Sequence, residues 1–160
     1  MTLGFAPENI ETWPIARLRP YAKNARVHGD DQVAKIAASI AEFGWTVPVL
    51  VAEDGEVIAG HGRILAAETL GLDEAPVIVL PHLSEAQRRA YRIADNALTE
   101  QSTWDDALLS EELKMLLAAD FDLSLTGLPD ADLDGLLDAP GEDSSGAQEG
   151  EDEVPEAPAE

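Results

Sequence analysis

The chain contains no cysteine, which excludes disulfides, thiolate metal sites and cysteine nucleophiles, and nothing argues for secretion. No apolar run approaches the length needed to span a bilayer. The start, Met1-Thr2-Leu3-Gly4-Phe5-Ala6-Pro7-Glu8, lacks the basic opening and long apolar stretch of a signal peptide. The expected location is therefore cytoplasmic, with no membrane partner. Basic residues are also scarce. Ten Lys/Arg stand against 32 Asp/Glu, for a net charge of −22. Up to Thr99 there are nine bases and thirteen acids (−4), and from Glu100 onward Lys114 alone faces nineteen acids (−18). Affinity for nucleic acid comes largely from Lys and Arg neutralising backbone phosphate, so this chain alone is expected to bind DNA poorly, reaching it only through another domain or partner.

What is present suffices for one ordinary domain and a tail: 160 residues, 45% of them hydrophobic. Pro14 and Pro20 forbid a continuous helix near the start, so Ile10 to Trp13 and Ile15 to Leu18 read as short extended pieces, an edge strand and a turn. Asp30 is placed to cap a helix over 31–43, in which Val33, Ile36, Ile40 and Phe43 recur at helical spacing and which Gly44 ends. Val47 to Ala52 and Val57 to Ala59 form a hairpin across a turn at Asp54-Gly55, and Pro76 to Leu80 supplies a further strand. Ser84-Glu85-Ala86-Gln87 is a capping box opening a helix with Tyr91, Ala94 and Leu98 on one side, and with Arg88, Arg89 and Arg92 read as a solvated face. Leucine-rich helices follow over 104–119 and 130–137. From Asp138 the composition of Pro, Gly, Ser, Ala and acids predicts disorder, either a linker or an acidic terminus.

The chain is organised around the stretch from Asp54 to Gly71: a turn, a strand, the corner Gly60-His61-Gly62-Arg63, and a helix stopped by Gly71. Two glycines let the backbone approach a ligand. The unpaired N–H groups and dipole of a helix N-terminus favour an anion, and the fork of Arg63 can grip two phosphate oxygens. Taken alone the pattern also fits a steric strand-to-helix turn.

Three ordered boxes make the chain resemble the N-terminal domain of the ParB/sulfiredoxin superfamily, particularly the ParB-like (ParB-like nuclease) domain of phage and bacterial DNA-modification methyltransferase proteins. They are Asn24-Ala25-Arg26, the run Ser39 to Gly44 leading to Pro48-Val49-Leu50-Val51, and Gly60-His61-Gly62-Arg63 with Ala66-Ala67 and Leu70-Gly71. The resemblance implies an α+β fold, a small mixed sheet with surrounding helices, over residues 8–99. A helical extension over 100–137 and a disordered acidic segment over 138–160 complete the expected organisation. It also implies a nucleoside triphosphate, CTP or ATP with Mg²⁺, on Gly60, His61, Gly62, Arg63 and Asn96, and a homodimer as a further partner. His61 and Asp95 are the candidates for a catalytic role, and Asp95 for a metal. The chain departs from the family at Val47, where ParB has glutamine before the proline, and at Thr99, where the later Glu-Asn-x-x-Arg box, matched by Asp95-Asn96, has arginine. His61 stands at the sulfiredoxin cysteine, so that chemistry is excluded. A helix-turn-helix like that of ParB is not expected, because the second helix would offer Asp130, Asp132 and Asp134 to phosphates. No methyltransferase motif occurs in these residues.

Three functions follow as expectations: a nucleotide-binding regulatory module in DNA modification or segregation; a metal-dependent nuclease, for which His28, His61, His82 and Asp95 are scattered candidates; and a non-catalytic domain that positions a fused or partner DNA methyltransferase.

Overall fold

The computed structural model describes residues 4–24 and 26–138. The expected acidic tail therefore lies, beyond Asp138, outside the described residues. Four strands form one mixed sheet in the order β1-β4-β2-β3: β1 (Glu11–Pro14), β2 (Val49–Val51), β3 (Val57–Ala59) and β4 (Glu74–Val79). β1 pairs antiparallel with β4, β2 antiparallel with β3, and β2 parallel with β4, with Val49, Leu50 and Val51 opposite Val77, Ile78 and Val79. Five helices surround it: α1 (Asp30–Phe43), α2 (His61–Thr69), α3 (Glu85–Glu100), α4 (Asp106–Ala118) and α5 (Asp130–Asp138). This is the α+β architecture expected.

Alternation along the strands builds the core. Val49, Val51, Val57, Ala75 and Val77 face one way and pack with Trp13, Leu18 and Ile64 of α2, while Ala52, Ile58 and Leu80 face the other with Leu50 and Ile78. The central strands are covered on both faces, which is why they read as unbroken β-branched runs. Helix α1 packs on α2, and Phe43 at its end stacks on Phe121, the ring centroids 6.5 Å apart.

Several local expectations give way. Ile15 to Leu18 is not extended: after β1 the chain closes a 3-10 turn at Ile15–Arg17, with the Ile15 N–H donated to the Asp73 carbonyl and Leu18 turned into the core. Gly29, not Asp30, caps α1. Asp30 and Asp31 lie in its first turn, where carboxylates favour the helix dipole without a side-chain cap bond. The box at Ser84 forms as expected, with Gln87 returning the bond to the Ser84 N–H. The expected apolar side of α3 is not its buried side, however. Tyr91 and Leu98 are exposed, and the helix's one fully buried residue is Arg92. On α4 the stripe is narrower than its leucines suggest: Leu113 is buried, Leu108 and Leu117 are exposed.

Candidate phosphate site

Gly60 follows β3 in the left-handed conformation, φ +107°, and caps α2, which begins at His61. A Cβ at Gly60 would meet the Val49 side chain and backbone at 3.2–3.4 Å, so both conformation and packing require glycine there. Gly62 is different. It has ordinary helical geometry, but a Cβ would come within 3.0 Å of the His28 ring and of Ile36. The close approach the sequence suggested at Gly62 is thus made by side chains of this chain, the His28 imidazole foremost.

The corner opens into a cavity of about 250 Å³ that also receives Asp95 and Asn96 from α3. All the residues proposed from sequence, Gly60, His61, Gly62, Arg63, Asp95 and Asn96, therefore line one space, although Asn96 is far from the corner in sequence. The fold adds residues that the sequence did not assign to this site. Arg26 and His28 enter from the loop before α1, and Arg92 from α3. From the sequence His28 is only a scattered nuclease candidate, with nothing to tie it to the corner. The signal that could have found it is its place two residues beyond Arg26, in the first box.

The charge in this cavity runs against that of the chain: Arg26, Arg63 and Arg92 line it, with Asp95 the one carboxylate among the described residues that does. Their states differ. Arg92 is 6% exposed. Its Nη2 donates to Glu56 Oε1 at 2.6 Å and to the Val57 carbonyl at 3.1 Å, its Nε donates to the same carbonyl at 3.2 Å, and its guanidinium lies 3.6 Å over the Tyr21 ring. The solvated-face reading of the arginine cluster is thus wrong for Arg92, because a half-buried carboxylate partner, a carbonyl and an aromatic face together replace its water. Arg26 pairs with Glu100 at 2.7 Å. Arg63, half-buried at the start of α2, has no carboxylate partner among the described residues.

His61 accepts a hydrogen bond at Nε2 from the Tyr21 N–H, 3.2 Å away. An amide N–H can only donate, so Nε2 carries the lone pair and the ring proton is on Nδ1. Burial, then the charges of Arg92 and His28, lower its pKa from 6.5 to about 4. His61 is therefore a neutral donor at physiological pH and a poor general base. His28 Nδ1 donates to Gln32 Oε1 at 2.9 Å, since that oxygen can only accept. Asn96 spends one Nδ2 hydrogen on the Arg92 carbonyl at 2.8 Å, and the Thr99 hydroxyl bonds the Asp95 carbonyl at 2.9 Å. His82 stacks on Phe5 and does not line this cavity. No cluster of three His, Asp or Glu that could hold a metal by itself occurs among the described residues.

Residues 2–97 match the ParB N-terminal domain, and residues 107–160 match the ParB-methyltransferase HTH domain. The chain belongs to the ParB N-terminal domain family. It is 55% identical over 76 residues to the ParB-like nuclease domain-containing protein YnaK of Escherichia coli, a match covering 48% of this chain and 87% of that protein. It is 35% identical over 102 residues to Stage 0 sporulation protein J of Bacillus subtilis, covering 61% of this chain and 36% of that protein. This match thus takes in only about a third of the Bacillus relative. Among solved structures, the C-terminally truncated chromosome-partitioning protein ParB from Caulobacter crescentus, complexed with CTP-γ-S, shares the fold at a TM-score of 0.66 and 18% identity, over 80% of this chain and 76% of that one.

The second match corrects the expectation that no helix-turn-helix is present. That expectation rested on acidity, but apolar spacing sets whether helices pack as such a unit, and charge sets only what the packed unit can touch. Helices α4 and α5, joined through the 3-10 turn at Leu123–Thr126, are the part of it within the described residues. No helix among them is long and apolar enough to cross a membrane.

Proposed function

We propose that this chain is a nucleotide-binding regulatory module for a DNA transaction, with the phosphates of a nucleoside triphosphate held at the corner by the α2 N-terminus, Arg63 and the Nδ1–H of His61. The observation that carries this reading is the concentration of Arg26, Arg63 and Arg92 around a helix N-terminus in a chain of net charge −22. Gly60, in its left-handed conformation, turns the chain into the α2 N-terminus there, and Asn96 retains one amide hydrogen and its carbonyl oxygen for the ligand. Membership of the family, and the CTP-γ-S carried by the Caulobacter ParB, support the assignment.

Mg²⁺ suits the same arrangement. This ion takes one or two carboxylates and completes its shell with substrate phosphates and water, so Asp95 with the Asn96 carbonyl oxygen is a sufficient protein contribution. It would neutralise phosphate charge beside Asp95. The nuclease reading is less well supported: the histidine at the corner has its basic nitrogen engaged, and no three His, Asp or Glu come together among the described residues.

Positioning of a fused or partner DNA methyltransferase is a second reading, favoured by the match of residues 107–160 to a ParB-methyltransferase domain. It is compatible with the first, since nucleotide occupancy can govern what the helical extension presents. Isothermal titration with CTP, ATP and GTP, with and without Mg²⁺, tests the proposal. Saturable binding of one triphosphate is expected, and no heat with any of them would overturn it.

A further inference from the structure

We propose that Arg92 is a positioning residue for His61, acting through Tyr21 to hold the imidazole with Nε2 as acceptor and its proton on Nδ1. Three contacts compose the relay. Arg92 is clamped from below by Glu56 and the Val57 carbonyl, so its guanidinium plane is fixed relative to β3. The Tyr21 ring lies against that plane at 3.6 Å. The Tyr21 N–H meets His61 Nε2 at 3.2 Å. The segment before Tyr21 is anchored separately, by Arg19 N–H to the Gly55 carbonyl at 2.8 Å and Val57 N–H to the Arg19 carbonyl at 2.9 Å. That pairing sets the path of the chain, and the stacked guanidinium sets Tyr21 itself.

The consequence is chemical. A histidine free to exchange tautomers presents a donor only part of the time, whereas one held by an amide N–H presents Nδ1–H continuously. Nδ1 has no protein acceptor among the described residues, so it is the donor left for a phosphate oxygen. The surroundings of His61 act in the same sense. Burial first, then Arg92 from α3 and His28 from the loop before α1, disfavour an imidazolium, and Arg26, Arg63 and Asp95 line the same cavity. The cavity thus binds an anion with guanidinium charge and a neutral imidazole donor. The phosphate part of this inference rests on the proposed function; the positioning part does not.

The test uses the full chain with ¹⁵N-labelled histidine and reads the His61 tautomer by long-range ¹H–¹⁵N correlation in the ligand-free protein at neutral pH. The wild type is expected to show one neutral tautomer with the proton on Nδ1. Arg92→Lys and Tyr21→Leu are each expected to move the two ring ¹⁵N shifts toward tautomer-averaged values. Arg92→Lys retains the charge and loses the planar face. Tyr21→Leu leaves Arg92 and its bonds to Glu56 and Val57 in place, and so decides the question if Arg92→Lys does not fold. Where CTP binds, both variants should weaken it several-fold, and Tyr21→Leu should add nothing in a His61→Ala background. A proton found on Nε2 in the wild type, or unchanged ¹⁵N shifts in folded Tyr21→Leu, would overturn the proposal. Failure of CTP to bind the wild type would remove the phosphate reading alone, because the tautomer is read without ligand.

Discussion

Nη2 of Arg92 lies 2.6 Å from Oε1 of Glu56, joining the middle of α3 to the residue before β3 across 36 positions of sequence. Arg92 is almost wholly buried there, so removing the charge of its partner leaves a desolvated cation with only a carbonyl and a ring. Glu56→Gln, which preserves shape, should destabilise the protein by about 2 kcal/mol in chemical denaturation. Arg89→Gln breaks only the exposed pair with Glu85 on the same helix and should change stability by less than about 0.5 kcal/mol. Equal effects would show that burial does not set the worth of these pairs.

The two glycines of the corner should respond differently to alanine. Gly60→Ala forces a side chain into φ +107° and against Val49, and is expected to lower stability by about 2 kcal/mol. At Gly62 the backbone is relaxed and the obstruction is the His28 ring and Ile36. Gly62→Ala should therefore cost less in stability yet displace His28, visible as changed His28 side-chain NMR signals and weaker nucleotide binding. Gly62→Val, larger and β-branched, is expected to abolish binding and lower stability.

Arg63→Ala removes a charge-assisted contact from the proposed phosphate site and should weaken triphosphate affinity by about 2 kcal/mol while leaving the melting temperature nearly unchanged. Titration calorimetry beside a thermal scan separates the two effects. Unchanged affinity in a folded variant would reduce the corner to a steric turn.

His61 also predicts a pH dependence of stability. Its folded pKa is lowered from 6.5 to about 4, so between those values the unfolded chain binds a proton that the folded one refuses. Its contribution is full above pH 6.5 and is lost as pH falls toward 4. Denaturant melts across this window should show the slope in the wild type and a diminished one in His61→Gln. Asp54, whose carboxyl is held below 3.8 chiefly by the Glu56 N–H and also by Arg19, loses its contribution only below that value, outside the window.

This chain should not retain generic duplex DNA at physiological salt. Its helix-turn-helix match notwithstanding, α5 presents Asp130, Asp132 and Asp134, and the summed charge is −22. A mobility shift that survives physiological salt would contradict this.

The individual strands, the capping box at Ser84 and the helix after the corner are legible because each rests on residues within a few positions: β-branched runs, a hydrogen-bonding side chain three positions on, a glycine at a break. The helix-turn-helix was misjudged for a different reason, since charge on Asp130 to Asp134 was weighed against a packing that leucines determine. Arg92 was misread because its partners, Glu56, Val57 and Tyr21, are all distant in sequence, and an arginine beside two others reads as solvated until something is known to cover it.

By itself the sequence determined the strand and helix pattern, the absence of thiol chemistry, the acidic balance and the place of the glycine corner, all of them properties of neighbouring residues or of simple sums. Only the tertiary structure decided that Asp95 and Asn96 share a cavity with that corner, that His28 fills the space beside Gly62, and that His61 keeps its proton on Nδ1. Those depend on which backbone N–H and which side chain meet after the sheet closes and α3 crosses β3. Distance along a chain carries no information about such meetings.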